Sequence, residues 1–138
     1  MSDTSRSERE RIREQKRERL RERHGEGATD ASESPGEPIE IEGRDHFETV
    51  LSEHDSVLVD CYADWCGPCK MTKPIVEDVA AEADAAVAKV DIDRHRQIAQ
   101  QLGVRSVPTF VLYRTGEPAE RLVGAQDRAA FDRLLGSA

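Results

Sequence analysis

The sequence lacks asparagine altogether, and its 138 residues include only six aromatic residues, four lysines and three cysteines. Without asparagine there is no acceptor for N-glycosylation. No run of 18 apolar residues occurs, which argues against a membrane-spanning helix, and residues 1–30 lack the apolar stretch of a secretory signal. We therefore expect a cytoplasmic protein. In that compartment a close cysteine pair more often performs redox or metal chemistry than structural cross-linking.

The net charge of −8 is unevenly distributed along the chain. Residues 1–24 contain nine Lys/Arg and six Asp/Glu, whereas residues 25–138 contain eleven and twenty-two, so the two parts carry +3 and −11. Because so acidic a region repels nucleic acid and anionic lipid, we expect neither nucleic acid nor a membrane as a partner. The excess of acids and of Arg over Lys resembles proteins of salt-loving archaea, and GC-rich codon usage would also produce it.

The composition changes at about residue 38. Residues 5–24 are almost entirely charged and have no apolar stripe that would face a core. Residues 25–38 are rich in Gly, Ser, Pro and acids, which is typical of a flexible linker. We predict that residues 1–38 form a charged, disordered tail and linker, with a docking arm for a partner as the alternative. Residues 39–138 are predicted to form one small domain.

Hydrophobic periodicity predicts the order β-α-β-α-β-α-β-β-α in this domain. The predicted strands are 39–42, 56–63, 85–93, 109–114 and 119–125, and the predicted helices are 44–53, 67–83, 94–102 and 126–135. The dense β-branched run at 56–63 indicates a strand buried on both faces. Strands that alternate with helices imply parallel pairing, and the final hairpin adds antiparallel strands. The fold class is therefore α/β, with a mixed central sheet flanked by helices on both faces.

Two cysteines, Cys66 and Cys69, enclose Gly67 and Pro68 at the point where a predicted strand ends and a helix begins. A helix N-terminus has unpaired N–H groups and a partial positive charge, and both stabilise a thiolate at Cys66. Cys69 is expected one turn onward, beside Cys66 but deeper. From there it can attack a mixed disulfide formed at Cys66 and release the partner. The pair therefore indicates thiol–disulfide exchange.

Two other uses of the pair are disfavoured. Structural zinc needs four ligands, but the third cysteine, Cys61, lies in a predicted strand. The four histidines are dispersed along the chain at His24, His46, His54 and His95. An inert structural disulfide would close so short a loop that it removes little chain entropy. We expect no metal and, since no Gly-rich nucleotide loop is present, no cofactor other than a redox-active disulfide.

Residues 57–80, VLVDCYADWCGPCKMTKPIVEDVA, resemble the active-site segment of the thioredoxin family. The similarity continues through AKVDID, GVRSVPTF, TGE and LVGA and extends over residues 39–136. The resemblance implies a thioredoxin-like fold and a thiol–disulfide oxidoreductase that reduces protein disulfides, since Gly-Pro between the cysteines is typical of the reducing members. It also implies disulfide-containing client proteins and a thioredoxin reductase, or a ferredoxin-linked equivalent, as electron donor. We expect a monomer.

The resemblance assigns roles to four residues of the redox centre. Cys66 would attack the substrate disulfide, and Cys69 would resolve the resulting complex. Asp60 would lie below the resolving thiol and relay its proton, with a pKa raised by burial, and Lys89 would pair with this acid. Taken without the resemblance, Asp60 could be a strand-end residue facing solvent, and Lys89 a strand residue whose ammonium snorkels to water.

The resemblance also implies a shallow substrate groove. Pro108 would follow a cis peptide bond and face the disulfide, so that the backbone of Val107 can pair with an extended substrate segment. Taken alone, Pro108 would be an ordinary trans proline. The other residues expected to line the groove are Trp65, Gly67, Pro68 and Gly124.

The chain departs from the family at the two residues before Ala63, where Cys61 and Tyr62 replace the usual aromatic pair. Tyr62 stands where tryptophan is usual. We interpret Cys61 as a small buried hydrophobic residue, with a regulatory thiol as the alternative. For the whole domain, the alternative function is a binding module of the same fold that is targeted by its charged N-terminal arm.

Overall fold

The computed structural model describes residues 36–136, so the predictions for residues 1–35, whether tail, linker or docking arm, lie outside the described residues. The domain boundary near residue 38 therefore stays a prediction. Within the described range the elements follow the predicted order. They are β1 (Ile39–Glu40), α1 (Arg44–Glu53), β2 (Ser56–Tyr62), α2 (Gly67–Glu82), β3 (Ala86–Asp91), α3 (Arg96–Leu102), β4 (Thr109–Arg114), β5 (Glu117–Val123) and α4 (Arg128–Gly136).

The five strands form one sheet in the order β1-β3-β2-β4-β5. β3 runs parallel to both β1 and β2, whereas β4 is antiparallel to β2 and to β5. The sheet is therefore mixed, as predicted. β2 occupies its centre, and all of its residues except the first and the last are buried, which confirms the prediction of a strand covered on both faces.

Two apolar clusters cover the two faces of the sheet. Alternate residues of a strand point to opposite faces, so Val57, Val59 and Cys61 of β2 lie on one face while Leu58 and Asp60 lie on the other. The first face packs against α1 and α3 through Phe47, Val50, Ile98 and Leu102. The second packs against α2 and α4 through Val76, Val79, Phe131 and Leu134. Helices therefore flank both faces, as predicted.

Several element boundaries differ from those predicted, and local hydrogen bonds explain the largest differences. The Asp91 carboxylate accepts bonds from the backbone N–H groups of Asp93 (2.9 Å) and Arg94 (3.4 Å). This turn ends β3 at Asp91 and delays the start of α3 to Arg96. Thr115 and Gly116, with φ of 50° and 82°, make a two-residue hairpin turn, so β5 begins at Glu117 instead of residue 119.

The end of α3 is joined to the neighbouring strand β5. Gly103 has a left-handed φ of 68°, and the N–H groups of Gly103 and Val104 return to the last carbonyls of the helix. The Arg121 guanidinium of β5 donates to the carbonyl groups of Leu102 and Gly103. These bonds anchor the start of the segment that leads from α3 to Val107 and Pro108.

The packing of Phe110 generates the first prediction. Phe110 is fully buried in β4 and contacts Phe131 edge-on, with ring centroids 4.8 Å apart. Replacing it with alanine leaves a cavity, so Phe110→Ala is expected to lower the free energy of unfolding by about 3–5 kcal/mol. Urea denaturation measures the change.

Val123→Ala serves as the matched control, because Val123 lies on the adjacent strand but is 59% exposed. Its truncation is expected to change the free energy of unfolding by less than about 0.5 kcal/mol. Equal losses in the two variants would contradict the packing described here.

Candidate active site

A disulfide joins Cys66 and Cys69 at the N-terminus of α2, with their Cα atoms 5.3 Å apart. Cys66 is the N-cap of the helix, and its Sγ accepts a hydrogen bond from the backbone N–H of Cys69 at 3.1 Å. Pro68 lies in the first turn, where a missing N–H costs little. When the disulfide is reduced, the same N–H and the positive end of the helix favour a thiolate at Cys66.

The two cysteines differ in exposure, in the opposite sense to the prediction. Cys66 is only 3% exposed, whereas Cys69 is partly exposed, so the prediction that Cys69 lies deeper was wrong. The reason is the direction of the Cys66 side chain. Its Sγ points back over the first turn of α2 and lies 3.6 Å from the carbonyl oxygen of Val107, so the segment before β4 covers it.

Val107 and Pro108 are joined by a cis peptide bond, as the family resemblance implied. The Val107 carbonyl faces Cys66, and the Pro108 carbonyl accepts a hydrogen bond of 2.8 Å from the N–H of Gly124. Gly124 has a φ of 90°, a conformation that favours glycine. The structure thus brings Cys66, Val107, Pro108 and Gly124 together from three separate segments of the chain.

Three large apolar side chains are exposed within the described range, and each is within two residues of a residue assigned to the redox centre or the groove, namely Cys66, Cys69 or Gly124. They are Trp65, Met71 and Val123, with exposures of 68%, 76% and 59%. Trp65 directly precedes Cys66, and its Nε1–H donates to the Asp93 carboxylate at 2.8 Å, which fixes the indole. Gly67 and Pro68 are also exposed between the cysteines.

Sequence reasoning missed Met71, Val123 and Asp93. The sequence pattern could have identified Met71. It is apolar, but it does not lie on the buried face of α2, which carries Thr72, Val76 and Val79. The sequence pattern gave no indication of Asp93 or Val123. The contact of Asp93 with Trp65 joins distant segments, and Val123 has the pattern of an ordinary strand residue.

Asp60 lies on the face of β2 that α2 covers, and it is only 4% exposed. The reading of Asp60 as a solvent-facing strand end is therefore wrong. Burial raises the pKa of Asp60 to about 6, against a smaller lowering by the positive charge of Lys89, and the negative charge of Glu40 adds to the rise. A carboxyl group with this pKa can both accept and release a proton near neutral pH.

Lys89 neighbours Asp60 across β2 and β3, where the two residues are register partners. Its Nζ lies 4.4 Å from the centroid of the Tyr62 ring, in a cation–π contact. Among residues 36–136 no ion pair joins Lys89 to Asp60. The expected pairing of Lys89 with Asp60 is therefore not a direct contact. The positive charge of Lys89 acts on Asp60 at a distance and lowers its pKa.

Cys61 is fully buried on the opposite face of β2, within the cluster that includes Phe47 and Tyr113. Burial raises the pKa of the Cys61 thiol to about 12, and the nearby charge of Asp60 raises it further against a lowering by Arg121. These observations confirm its interpretation as a small hydrophobic residue of the core.

The part of the chain that the structure describes contains no group of three or more His, Cys, Asp or Glu side chains that could hold a metal ion. In the same residues no helix combines the length and the apolar character needed to cross a membrane.

Comparisons with known proteins give one consistent family. The family model of thioredoxin matches residues 38–136. The chain is 47% identical over 88 residues to the thioredoxin of Mycobacterium tuberculosis (strain ATCC 25618 / H37Rv), a match that covers 62% of this chain and 76% of that protein. It is 43% identical over 109 residues to the bifunctional thioredoxin reductase/thioredoxin of Mycobacterium leprae, covering 78% of this chain but only 24% of that longer protein.

Among solved structures, the chain is similar to a mutant thioredoxin from Halobacterium salinarum NRC-1, with 48% sequence identity and a TM-score of 0.73. The match covers 75% of this chain and 91% of that one.

The raised pKa of Asp60 generates a prediction on stability. Well below pH 4 Asp60 is protonated in both the folded and the unfolded chain, so its ionisation does not change the stability. As the pH rises, the unfolded chain ionises first, and the folded protein loses stability until the loss levels off at about 3 kcal/mol above about pH 7. Asparagine cannot ionise, so Asp60→Asn is expected to stabilise the oxidised protein by about that amount at pH 8 but by less than about 1 kcal/mol at pH 4.

Urea denaturation of the wild type and Asp60→Asn at both pH values measures this difference. Asp78→Asn is the control, since Asp78 is an exposed acid on α2 and its replacement should change stability by less than about 0.5 kcal/mol. A pH-independent gain in Asp60→Asn would contradict the ionisation argument.

The burial of Cys61 generates a prediction on reactivity. With a pKa of about 12, roughly one molecule in ten thousand carries the Cys61 thiolate at pH 8. In the reduced native protein, iodoacetamide is therefore expected to label Cys66 first and to leave Cys61 unmodified until urea is added. Mass spectrometry of the digested protein identifies the labelled residues. Labelling of native Cys61 as fast as Cys66 would support a regulatory thiol instead.

Proposed function

Because the chain belongs to the thioredoxin family and is a thiol–disulfide oxidoreductase, we propose that it reduces the disulfides of client proteins in the cytoplasm. The observation that carries this proposal is the position of Cys66 as the N-cap of α2, with the N–H of Cys69 bonded to its sulfur. A sulfur in this position ionises readily, and the thiolate is the form that attacks disulfides.

The reaction transfers two electrons in two exchange steps. The Cys66 thiolate attacks one sulfur of a client disulfide, forms a mixed disulfide and releases the other client sulfur as a thiolate. The Cys69 thiolate then attacks Sγ of Cys66, which breaks the mixed disulfide and releases the second client sulfur as a thiolate that takes a proton from water. The client is reduced, and Cys66 and Cys69 are left as the disulfide that this structure contains.

The second step requires Cys69 to lose its proton, and we assign the acceptor role to Asp60. Support comes from its burial beneath α2 and from its pKa of about 6, which lets the carboxylate take a proton and return it near neutral pH. The positive charge of Lys89 acts on Asp60 and tunes how readily it accepts that proton.

The client is proposed to bind across the surface around the disulfide. The backbone of Val107 would pair with an extended client segment, next to Pro108 and Gly124. Trp65, Met71 and Val123 would contact apolar client side chains, since all three are large, apolar and exposed and lie close in sequence to Cys66, Cys69 or Gly124. Gly67 and Pro68 leave the approach to the sulfurs free of bulky side chains.

The oxidised protein needs an electron donor, and we propose a thioredoxin reductase or a ferredoxin-linked equivalent acting on a monomer. The family resemblance supports the reductase. The relative from Mycobacterium leprae carries both activities in its name, although this chain matches only 24% of its length.

Reduction of insulin disulfides, driven by dithiothreitol, tests the mechanism. Cys66→Ser removes the attacking sulfur and is expected to reduce turnover to the rate of dithiothreitol alone. Cys69→Ser removes the resolving sulfur and is expected to accumulate a mixed disulfide with insulin, visible by mass spectrometry without reductant. Cys61→Ala is the matched control and should retain turnover, because Cys61 lies on the opposite face of the sheet.

Full turnover by Cys66→Ser would overturn this mechanism. A wild-type protein that binds insulin but does not reduce it would favour the binding module instead.

A further inference from the structure

Glu40, Lys89 and Asp60 form a continuous row across three neighbouring strands. Glu40 of β1 and Asp60 of β2 are both register partners of Lys89 in β3. Register partners in a parallel sheet project from the same face, and residues two apart on a strand do so as well. Tyr62 of β2 therefore shares this face, which is the one that α2 covers.

Side-chain contacts connect the two ends of this row. The Tyr62 hydroxyl donates a hydrogen bond of 2.7 Å to Oε2 of Glu40. Burial, followed by this bond, raises the pKa of Tyr62, so its hydroxyl stays protonated and remains a donor. The Lys89 ammonium rests over the ring that the bond orients, with Nζ 4.4 Å from the centroid. The mechanism proposed above uses Asp60 and Lys89 but gives Glu40 and Tyr62 no part.

We propose that Glu40 is a positioning residue for proton transfer: through Tyr62 it holds the Lys89 ammonium on the ring face and so limits how closely that charge approaches Asp60. The inference rests on the proposed role of Asp60 as the proton acceptor for Cys69. It assigns a function to the tyrosine at position 62, since its ring provides the face for Lys89 and its hydroxyl provides the donor for Glu40.

The effect on Asp60 has a definite sign. If the bond between Tyr62 and Glu40 is lost, the ring is no longer fixed and the ammonium is free to approach Asp60, its neighbour in the sheet. A closer positive charge favours the carboxylate and lowers the pKa of Asp60. Removing the negative charge of Glu40 acts in the same direction, because that charge now raises the pKa.

The other groups packed around Asp60 do not provide a competing charge. On β4 its register partner is Phe110. From α2 the buried side chains are Thr72, Val76, Val79 and Ala80, and the charged residues of that helix are exposed. The cysteine sulfurs of α2 form a disulfide in the oxidised state and do not titrate there. Asp64 and Asp91 act on Tyr62, whereas Lys89 and Glu40 are the charges that act on Asp60.

The test is the titration of the Asp60 carboxyl in the oxidised full-length protein, followed by carbon-13 NMR. Tyr62→Phe keeps the ring and every charge but removes the hydroxyl, and we expect a lower midpoint for Asp60 than in the wild type. Glu40→Gln removes the charge and is also expected to lower the midpoint. Glu42→Gln is the matched control: it removes the same charge from an exposed residue two positions away and should leave the midpoint unchanged.

A double variant separates positioning from a general loosening of the fold. In Lys89→Gln there is no ammonium to reposition, so adding Tyr62→Phe should leave the Asp60 midpoint of Lys89→Gln unchanged. The inference is overturned if Tyr62→Phe alone leaves the wild-type midpoint unchanged. It is also overturned if Tyr62→Phe shifts the midpoint equally with and without Lys89.

Kinetics give a second readout, which also distinguishes this inference from the proposed function. The release of client from the mixed disulfide is expected to follow a pH profile displaced to lower pH in Tyr62→Phe. If the wild type reduces insulin but Tyr62→Phe leaves the Asp60 midpoint unchanged, the positioning role of Glu40 is overturned and the proposed function stands. Full turnover by Cys66→Ser removes the proposed function, whatever the titration of Asp60.

Discussion

The hydrogen bond from the backbone N–H of Cys69 to Sγ of Cys66 is the contact on which the proposed chemistry of this protein depends. It exists because β2 ends at Tyr62 and α2 begins five residues later at Gly67, with Cys66 as its N-cap. An unpaired N–H at the start of a helix needs an acceptor, and here the acceptor is the sulfur of Cys66. The start of the helix therefore also places the proposed nucleophile.

The two faces of β2 place neighbouring side chains in different environments, because successive residues of a strand point to opposite sides of the sheet. Cys61 points into the cluster with α1 and α3, where burial makes its thiol unreactive. Asp60, its immediate neighbour, points beneath α2, where burial brings its carboxyl into the range useful for proton transfer. A shift of one residue in the register of β2 would exchange the two side chains and move the proposed proton acceptor away from the face that α2 covers.

The sequence predicted the order of all the elements in the described range, since strands such as β2 and helices such as α1 have strong periodicity. The burial of Asp60 followed from its place in a dense apolar strand, whereas the cis bond before Pro108 was reached through the family resemblance, and both were confirmed. The sequence did not predict that Cys66 would be less exposed than Cys69, because the Val107 carbonyl that covers it comes from a distant segment. It also did not predict the contact of Lys89 with Tyr62, which depends on side-chain packing between β3 and β2. Boundaries near residues 93 and 117 were missed because a side-chain turn and a two-residue hairpin decided them.

Trp65 is the single tryptophan of the chain, it is adjacent to Cys66, and its indole is fixed by Asp93. Because a disulfide quenches the emission of an adjacent indole more than two thiols do, we expect the fluorescence of Trp65 to follow the oxidation state of the cysteine pair. No second indole would obscure that signal.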